Sequence, residues 1–339
     1  MSAASRVLAA CRRSSDNRNF RQEVLEALRP EVDFDAHVWL LTDPATTVGS
    51  SPLADVPSLR ALPETIRLKY LCPENRWTAL ESPRAVSLAA AGGEARDWHG
   101  FLDRYAVRDV ASVVLRDHQG CWGFLDLWRV GGVFAQRELD LLTEALAPVA
   151  EALRAREALH FEVGGSDLPS DPAVLLLAPD LTVRRQTPAA GAYLRALLPT
   201  PDDRRPVPAA AYNVAAQLLA VEAGVDSHPA WSRVWSRPGL LLTFRAARIH
   251  RRDRPLDTSD IAVTIERTTP GERLDLFGRV HDLSPRETEV LRCLTEGDDT
   301  REVAARLHLS AYTVQDHLTS VFDKTGVRSR RVLLARATG

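Results

Sequence analysis

Long apolar runs, paired cysteines and lysine are scarce in this 339-residue sequence. No apolar run approaches the ~18 residues of a membrane-spanning helix, so we expect neither a membrane span nor a membrane partner. The four cysteines stand far apart, at Cys11, Cys72, Cys121 and Cys293, without the CxxC pairs of zinc sites. Nothing indicates a disulfide framework, and the sequence fits the reducing cytoplasm.

Bulk charge is also missing, because 43 basic and 45 acidic residues leave a formal net charge of −2. Such a chain as a whole attracts neither nucleic acid nor an anionic membrane, so any such contact requires a local excess of charge. The basic residues are almost all arginine, with lysine only at Lys69 and Lys324. Arginine forks suit phosphate, but the accompanying excess of alanine favours a GC-rich coding sequence as the cause.

The motifs of common catalytic sites are absent, since GxxxxGKS, HExxH and GxSxG do not occur. The nine histidines show no metal-ligand spacing, and His118 with Cys121 is best explained as an incidental pair. We therefore predict no catalytic residue, no metal site and no enzyme activity. The sequence indicates no particular cofactor.

The pattern of residues 17–160 predicts a first α+β domain. Its β-type runs are 34–42, 110–116 and 122–129. The last two runs flank turn residues and predict an antiparallel hairpin, whereas 49–52 predicts a turn. A final helix after Phe134 carries leucines on one face and is interrupted by Pro148. Those leucines fit a dimer surface and the core of the domain equally well.

Residues 171–270 predict a second α+β domain, after a linker rich in glycine and proline at 163–172. Its predicted strands are 173–178, 181–186, 240–249 and 261–266. Thr187 and Pro188 begin a helix, with a capping hydroxyl followed by proline in the first turn. The proline-rich stretch 199–208 is predicted to be a loop.

Residues 280–339 carry the strongest helix signals in the chain. Ser284 and Glu287 form a capping box, with Pro285 at the first helical position. The other predicted caps are Thr300, Ser310 and Ser329 at helix starts and Gly297 and Gly326 at helix ends. The pattern predicts an all-α domain of four short helices.

The third of these helices, residues 311–325, has the properties of a helix that enters the DNA major groove. Gln315 suits adenine and Asp316 suits the cytosine amino group, while hydroxyls at the helix start suit a phosphate oxygen. The predicted DNA-binding residues are Ser310, Tyr312, Thr313, Gln315, Asp316, Thr319, Lys324, Arg328 and Arg330. The local excess of positive charge lies toward the carboxyl end of this helix and in the fourth helix.

Residues 283–336 resemble the LuxR-type helix-turn-helix of bacterial regulators. The resemblance lies in LSPRETEVLRCLTEG, REVAARLHLS and TVQDHLTSVFDKTGVRSR. The chain departs from the family at His308, where glycine is usual, and at Gln315 and Thr319, where basic residues are common. We expect a left-handed but intact turn at His308, and DNA binding that weakens only modestly with salt.

The two front domains resemble bacterial sensor domains. The first is similar to GAF domains through FDAHVWLLTDPAT and RDVASVVLRDHQGCWGFLDLWR, and the second to PAS domains through AVLLLAPDLTVRRQTPAAGAYL. The expected fold is therefore multidomain, with GAF-like and PAS-like α+β domains before the four-helix LuxR-type domain. The resemblance implies a signal-responsive transcription regulator that binds double-stranded DNA as a homodimer, with room for a small-molecule ligand in either front domain.

Two other functions fit the same sequence. The missing basic residues fit a protein-interaction or signalling module whose C-terminal domain no longer binds DNA. Pocket-forming front domains fit a ligand-binding sensor with a catalytic front domain. The sequence itself names neither the signal nor the operator, nor whether binding activates or represses.

Overall fold

The computed structural model describes residues 1–13, 16–80, 84–92, 96–162, 171, 173–197, 209–249 and 259–339. The chain forms two compact units, each assembled from segments that are distant in sequence. The first unit comprises Met1–Leu153, Leu168–Val234 and Thr243–Glu266, and the second comprises Arg154–Asp167, Trp235–Leu242 and Arg267–Gly339. The division into domains at 17–160, 171–270 and 280–339 remains a prediction.

The first unit begins with a five-stranded sheet in the order β2-β1-β5-β4-β3, whose neighbours all pair antiparallel. Its strands are Ala36–Thr42 (β1), Gly49–Asp55 (β2), Val86–Ser87 (β3), Asp109–Asp117 (β4) and Gly120–Arg129 (β5). The predicted hairpin is confirmed as β4 and β5, which pair from Asp109↔Arg129 to Asp117↔Gly120. Both strands are buried along almost their whole length, as their nearly continuous apolar sequences indicate.

The prediction of a turn at 49–52 is wrong, because this stretch begins β2. Among the described strands it lies at the edge of the sheet and pairs with β1, where Pro52 faces Leu40. Proline is tolerated on an edge strand because its missing N–H breaks no ladder on the open side. Because glycine, serine and proline are untypical of strands, this edge strand could not be recognised from its sequence.

The structure describes seven α-helices before residue 163, and one of them carries the leucines that fit either a dimer surface or the core of the domain. These helices are Ala3–Arg12 (α1), Asn17–Leu28 (α2), Leu62–Leu71 (α3), Leu88–Ala91 (α4), Arg96–Asp103 (α5), Gln136–Leu146 (α6) and Val149–Ala158 (α7). The interruption at Pro148 is confirmed, since it separates α6 from α7. Helix α1 packs along α6, and Leu139, Leu142 and Leu146 are buried within the single chain. These leucines are core residues, and a dimer surface on their face is wrong.

The second sheet has the strand order β7-β6-β10-β9-β8. Its strands are Ala173–Leu177 (β6), Val183–Gln186 (β7), Trp231–Arg237 (β8), Leu240–Arg248 (β9) and Ile261–Arg267 (β10). The four predicted strands are confirmed with small shifts of their ends, and β6 pairs antiparallel with β7 and β10. Each sheet thus arranges its own strands in the same order: second, first, fifth, fourth, third.

Two helices accompany the second sheet in the described part of the chain, Pro188–Leu197 (α8) and Ala209–Glu222 (α9). Helix α8 begins at the predicted cap, where Thr187 Oγ1 accepts a hydrogen bond from the Ala190 amide. Neither α9 nor β8 was predicted. Helix α9 is rich in alanine and buried nearly all round, so it lacks the one-sided apolar pattern of a surface helix. The predicted linker at 163–172, apart from Asp171, and the loop at 199–208 lie outside the described residues.

A buried ion pair joins the loop after β1 to β8 within the first unit. Arg233 Nε lies 2.6 Å from Asp43 Oδ2, and Nη2 lies 2.9 Å from Oδ1. The two side chains are 1% and 0% exposed. Burial on its own raises the pKa of Asp43, but the guanidinium charge and the hydrogen bonds hold that pKa below its ordinary value. The two sheets therefore share an interior contact that water does not reach.

The C-terminal helices belong to the second unit. They are Pro270–Val280 (α10), Pro285–Thr295 (α11), Thr300–Arg306 (α12), Ala311–Thr325 (α13) and Arg330–Thr338 (α14). The predicted four-helix domain is confirmed as α11 to α14. Helix α10 was missed, although Thr269 and Glu272 form the same kind of capping box as the one that marks α11.

Arg273 on α10 connects three other segments of the second unit. Its guanidinium donates to the backbone oxygens of Glu162 at 3.2 Å, Gly239 at 3.3 Å and Arg336 at 3.2 Å. The residue is 3% exposed, and its Cζ lies 4.9 Å from the centre of the Phe161 ring. Burial lowers the pKa of Arg273 to about 10, so the group still carries its charge at neutral pH.

Candidate nucleic-acid interface

Capping interactions fix the two helices that frame α13. The capping box of α11 is confirmed, because Glu287 N donates to Ser284 Oγ at 3.2 Å and Ser284 N donates to Glu287 Oε2 at 2.6 Å. The prediction of Thr300 as the cap of α12 is wrong. Asp299 caps that helix, and its carboxylate accepts two backbone N–H bonds of 2.7 and 2.9 Å. A carboxylate there caps as well as a hydroxyl and also favours the positive end of the helix dipole.

Helix α13 is held by its inner face, which packs against α11 and α12. Ser310 Oγ caps its start by accepting from Thr313 N at 3.0 Å, and Gly326 ends it in a left-handed conformation with φ 65°. The shared core is formed by Val290, Leu294, Val303, Val314 and Leu318. Because the inner face is fixed by this core, the opposite face of α13 is presented to solvent.

The turn between α12 and α13 contains a left-handed residue. His308 has φ 55°, as the departure from the family's usual glycine predicted. The turn is intact, since Leu309 N donates to Ala304 O at 2.8 Å. The left-handed region costs a side-chain-bearing residue about 1 kcal/mol relative to glycine.

We expect His308→Gly to raise the free energy of unfolding by about 0.5–1 kcal/mol, because it relieves this strain and loses little else. Urea unfolding followed by circular dichroism measures the change. The control is Ala311→Gly, at an exposed position of α13, which should lower stability by about 1 kcal/mol. A loss of stability in His308→Gly would show that the imidazole makes a favourable contribution larger than the strain.

The exposed side of α13 forms the recognition face, which we define as Ser310, Tyr312, Thr313, Gln315, Asp316 and Thr319. Tyr312 is 77% exposed, and Gln315, Asp316 and Thr319 are also exposed. The Gln315 amide and the Asp316 carboxylate have no hydrogen-bond partner among the described residues. Both are therefore available to the edge of a base pair. Thr319 Oγ1 donates to Gln315 O at 3.0 Å, which leaves its oxygen as an acceptor.

The start of α13 carries the two predicted phosphate-binding hydroxyls. Ser310 is exposed and Thr313 is half-buried, and their hydroxyl oxygens lie 2.8 Å apart. Ser310 Oγ accepts the capping bond, and one of the two hydroxyls donates to the other, which leaves one hydroxyl hydrogen of the pair for a ligand. A hydroxyl donor beside free backbone N–H groups at a helix start is suited to a phosphate oxygen.

Lys324 lies in an internal ion pair. Its Nζ is 2.7 Å from Glu287 Oε2 and 2.9 Å from Asp282 O, and Ser320 Oγ donates to Glu287 Oε1 at 2.6 Å. Burial alone raises the pKa of Glu287, yet Lys324, Ser320 and the Ser284 amide together lower it to about 2. Lys324 thus ties α13 to α11, and its charge is largely neutralised where the sequence predicted contact with DNA.

The arginines beyond α13 differ in how free they are. Arg328 is exposed, whereas Arg330 is half-buried and donates to Asp298 O at 2.6 Å. Arg331 is exposed as well, and no described residue pairs with it or with Arg328. Arg331 is not among the predicted DNA-binding residues, although its place beside Arg330 was a signal. Arg306 is committed to ion pairs with two neighbouring carboxylates.

The described residues offer neither a membrane helix nor a metal cluster. No described helix is long and apolar enough to cross a bilayer. No group of three or more His, Cys, Asp or Glu side chains in the described ranges is placed to hold a metal ion. The cysteines carry free thiols, and Cys72, Cys121 and Cys293 are buried.

Comparison with protein families identifies the C-terminal domain. Residues 281–337 match the model of the family described as bacterial regulatory proteins, luxR family. This match covers α11 to α13, all but the last residue of α14, the capping box of α11 and the recognition face. The C-terminal domain is therefore a LuxR-type helix-turn-helix domain, as the sequence resemblance implied.

Curated relatives match this chain over short stretches. An HTH-type transcriptional regulator of Mycobacterium bovis is 36% identical over 80 residues, which are 24% of this chain and 9% of that protein. The HTH-type transcriptional regulator GfsR of Streptomyces halstedii is 40% identical over 57 residues, or 17% of this chain and 24% of GfsR. The chain thus spans a quarter or less of these relatives.

The crystal structure of Escherichia coli SdiA aligns with 99% of this chain and 96% of SdiA, at 12% identity and a TM-score of 0.36.

Proposed function

We propose that this chain, through its LuxR-type domain, is a sequence-specific DNA-binding regulator of transcription. The observation that carries the proposal is the recognition face. Exposed polar side chains on α13 are held outward by a capped two-helix frame, inside a domain that matches a family of regulators. Helix α13 then lies in the major groove with its amino-terminal turns against the base edges.

The contacts divide into base recognition and backbone positioning. Gln315 bonds an adenine edge and Asp316 accepts from a cytosine amino group, while Tyr312 and Thr319 contact the groove beside them. Ser310 and Thr313 hold a phosphate at the helix start, and the arginines after α13 hold the backbone at its other end. Among those arginines, Arg328 and Arg331 carry most of the charge contact. Lys324 contributes mainly by orienting α13.

The active form is a homodimer on two half-sites, because a single recognition helix specifies only a short sequence. The regulator acts in the cytoplasm, where the DNA is, and it is not an enzyme. The dimer contact lies away from the leucine face of α6, which is covered inside the chain. The interaction-module alternative requires a C-terminal domain that binds no duplex, and the DNA selection described below distinguishes the two.

The first unit supplies signal response, with the first sheet as the GAF-like module and the second as the PAS-like module. Their common strand order supports two modules of one kind. Against the first sheet lies a cavity of about 30 Å³, walled by Trp77, Trp98 and Trp128 and bordered by the Lys69–Asp126 ion pair. That volume is well below the roughly 300–1,000 Å³ of pockets that hold drug-sized ligands. A signal molecule of that size enters this cavity only if a wall moves.

Selection of bound duplexes from a random pool, with the purified full-length chain, tests the function. We expect one enriched sequence with two related half-sites. No enriched duplex at low salt and micromolar protein would overturn DNA binding and favour the interaction module.

Gln315→Ala is expected to relax preference at one base pair of each half-site by about 1–3 kcal/mol, because it removes a bidentate contact with a base edge. Affinities for the selected duplex and its single-base variants, measured by fluorescence anisotropy, give this number. Gln22→Ala, the same change at an exposed position of α2, is the matched control and should alter none of them. Uniform weakening across all sequences would mean that Gln315 contacts the backbone and recognises no base.

A further inference from the structure

A cleft of about 190 Å³ opens in the first unit between the end of α3 and α5. Its lining includes two arginines, Arg67 and Arg96, and the indole of Trp98. The cleft is smaller than the ~300–1,000 Å³ pockets that hold drug-sized ligands. It therefore suits a molecule of modest size.

Two hydrogen-bond donors in this lining are buried and unused. Arg67 Nε and Trp98 Nε1 have no hydrogen-bond partner in the described part of the chain. Buried donors in native proteins are nearly always paired, so such a pair of orphans at one cleft calls for an explanation. Each of these two N–H groups lacks an acceptor atom.

Arg67 contrasts with other arginines of the first unit. Arg21 donates to the backbone oxygens of Trp39 and Ser51, and Arg233 donates to a carboxylate. Arg67 is half-buried, yet no carboxylate among the described residues forms an ion pair with it. Its charge and its fork of donors are therefore available to a ligand, since a guanidinium binds a carboxylate through two parallel bonds.

The rest of the lining restricts the ligand further. Leu68, Leu71 and Pro73 give the cleft an apolar side. The charged groups are two guanidiniums and the Asp97 carboxylate, which leave one net positive charge. A ligand with a single negative charge and a short apolar body complements both the positively charged part and the apolar part of the lining.

We propose that this cleft binds a small organic monoanion, a carboxylate whose apolar body lies against Leu71 and Pro73. Arg67 and Arg96 hold the carboxylate, and the Trp98 side chain forms the wall beside it. The inference rests on the signal response proposed for the first unit and is independent of DNA binding. It gives that response a chemical class of ligand and a site distinct from the interior cavity.

Trp98 makes the site observable. The indole forms a wall of both the cleft and the interior cavity, and it packs edge-on against Trp128 with ring centroids 6.0 Å apart. The Lys69 ammonium lies 5.9 Å from the Trp98 ring centre. A carboxylate bound in the cleft changes the surroundings of this ring. Tryptophan fluorescence should therefore respond to occupancy.

The test uses benzoate as the probe with the full-length chain, measured by calorimetry and by tryptophan fluorescence. We expect one benzoate per chain and no comparable binding of benzamide, its neutral analogue, or of inorganic phosphate. Arg67→Gln and Arg96→Gln should each weaken benzoate binding at least about tenfold, through the loss of charge-assisted bonds. Arg60→Gln, at an exposed arginine just before α3, is the matched control and should change nothing.

Asp97→Asn tests the sign of the ligand charge. Removal of this carboxylate should tighten benzoate binding several-fold, because it removes repulsion between like charges. Arg96 and Asp97 are exposed, so neither replacement should prevent folding. Equal binding of benzamide, unchanged binding in both arginine variants, or no benzoate binding at about 10 mM, a concentration that detects even weak complexes, would overturn the proposal. DNA selection is read out separately, so its failure and the failure of this site are distinguishable.

Discussion

Arg233→Ala is expected to lower the free energy of unfolding of the first unit by about 3–5 kcal/mol. The replacement leaves the Asp43 carboxylate uncompensated in a position that is 0% exposed. Protonation of Asp43 offsets only part of this cost. A protonated oxygen no longer accepts every hydrogen bond that the carboxylate accepts, including the one from the backbone N–H at position 233, which is 3.0 Å long. Urea unfolding followed by tryptophan fluorescence measures the effect.

Arg13→Ala is the control for this experiment, because Arg13 pairs with Glu23 at the surface, where its side chain is 57% exposed. Its loss should cost less than about 1 kcal/mol. A double replacement, Asp43→Leu with Arg233→Met, should recover much of the lost stability, since two apolar side chains leave no buried charge. If Arg233→Ala costs no more than Arg13→Ala, the pair contributes nothing specific to the first unit.

Glu287→Gln is expected to destabilise the second unit by about 2–3 kcal/mol at neutral pH. It removes the negative charge that accepts hydrogen bonds from Lys324, Ser320 and the Ser284 N–H. The pKa of Glu287 is lowered to about 2 in the folded chain. Its contribution is therefore complete above the unfolded-state pKa of about 4.3 and is lost as the pH falls toward 2. The stability gap between wild type and variant should narrow between pH 5 and about pH 2.

The matched control is Glu289→Gln on the same helix, whose side chain is 47% exposed and pairs with Arg286 at the surface. It should change stability by less than about 1 kcal/mol at any of these pH values. Thermal unfolding at pH 7 and pH 3, followed by circular dichroism, supplies the comparison. A gap for Glu287→Gln that is the same at both pH values would refute the assigned charge interaction. The DNA affinity of this variant should also fall, because α13 loses its tie to α11.

Local chemistry explains which parts of the C-terminal domain were predictable from sequence. A capping hydroxyl and the glutamate three residues later interact within one turn, so Ser284 and Glu287 mark a helix start without any knowledge of the fold. The left-handed backbone at His308 could also be predicted from one position, because glycine is usual there in the family. Asp299 and Thr300 are both good caps, and only the backbone geometry decides between such neighbours.

The features that were not predicted from the sequence depend on contacts between residues far apart in the chain. The charge of Lys324 is visible in the sequence, but its partner Glu287 lies 37 residues away, so the ion pair between them was not predicted. Asp43 and Arg233 are separated by 190 residues. Helix α9 was missed for a related reason, since burial on every side removes the periodicity that helix prediction uses. The cleft at Arg67 is likewise a property of two helices brought together by folding.

The contacts of Arg273 have a consequence for how helix-turn-helix domains of this kind are recombined with other domains. Natural gene fusion, or a chimera made in the laboratory, would most simply exchange the C-terminal domain at residue 280. Such a cut leaves Arg273 behind and removes one of its three acceptors, the Arg336 carbonyl. A transplantable module therefore extends back to Thr269 at least, and it needs in its new host two backbone carbonyls placed like those of Glu162 and Gly239. Compatibility between exchanged parts is then decided by the geometry of the receiving backbone, which sequence similarity within the helix-turn-helix does not measure.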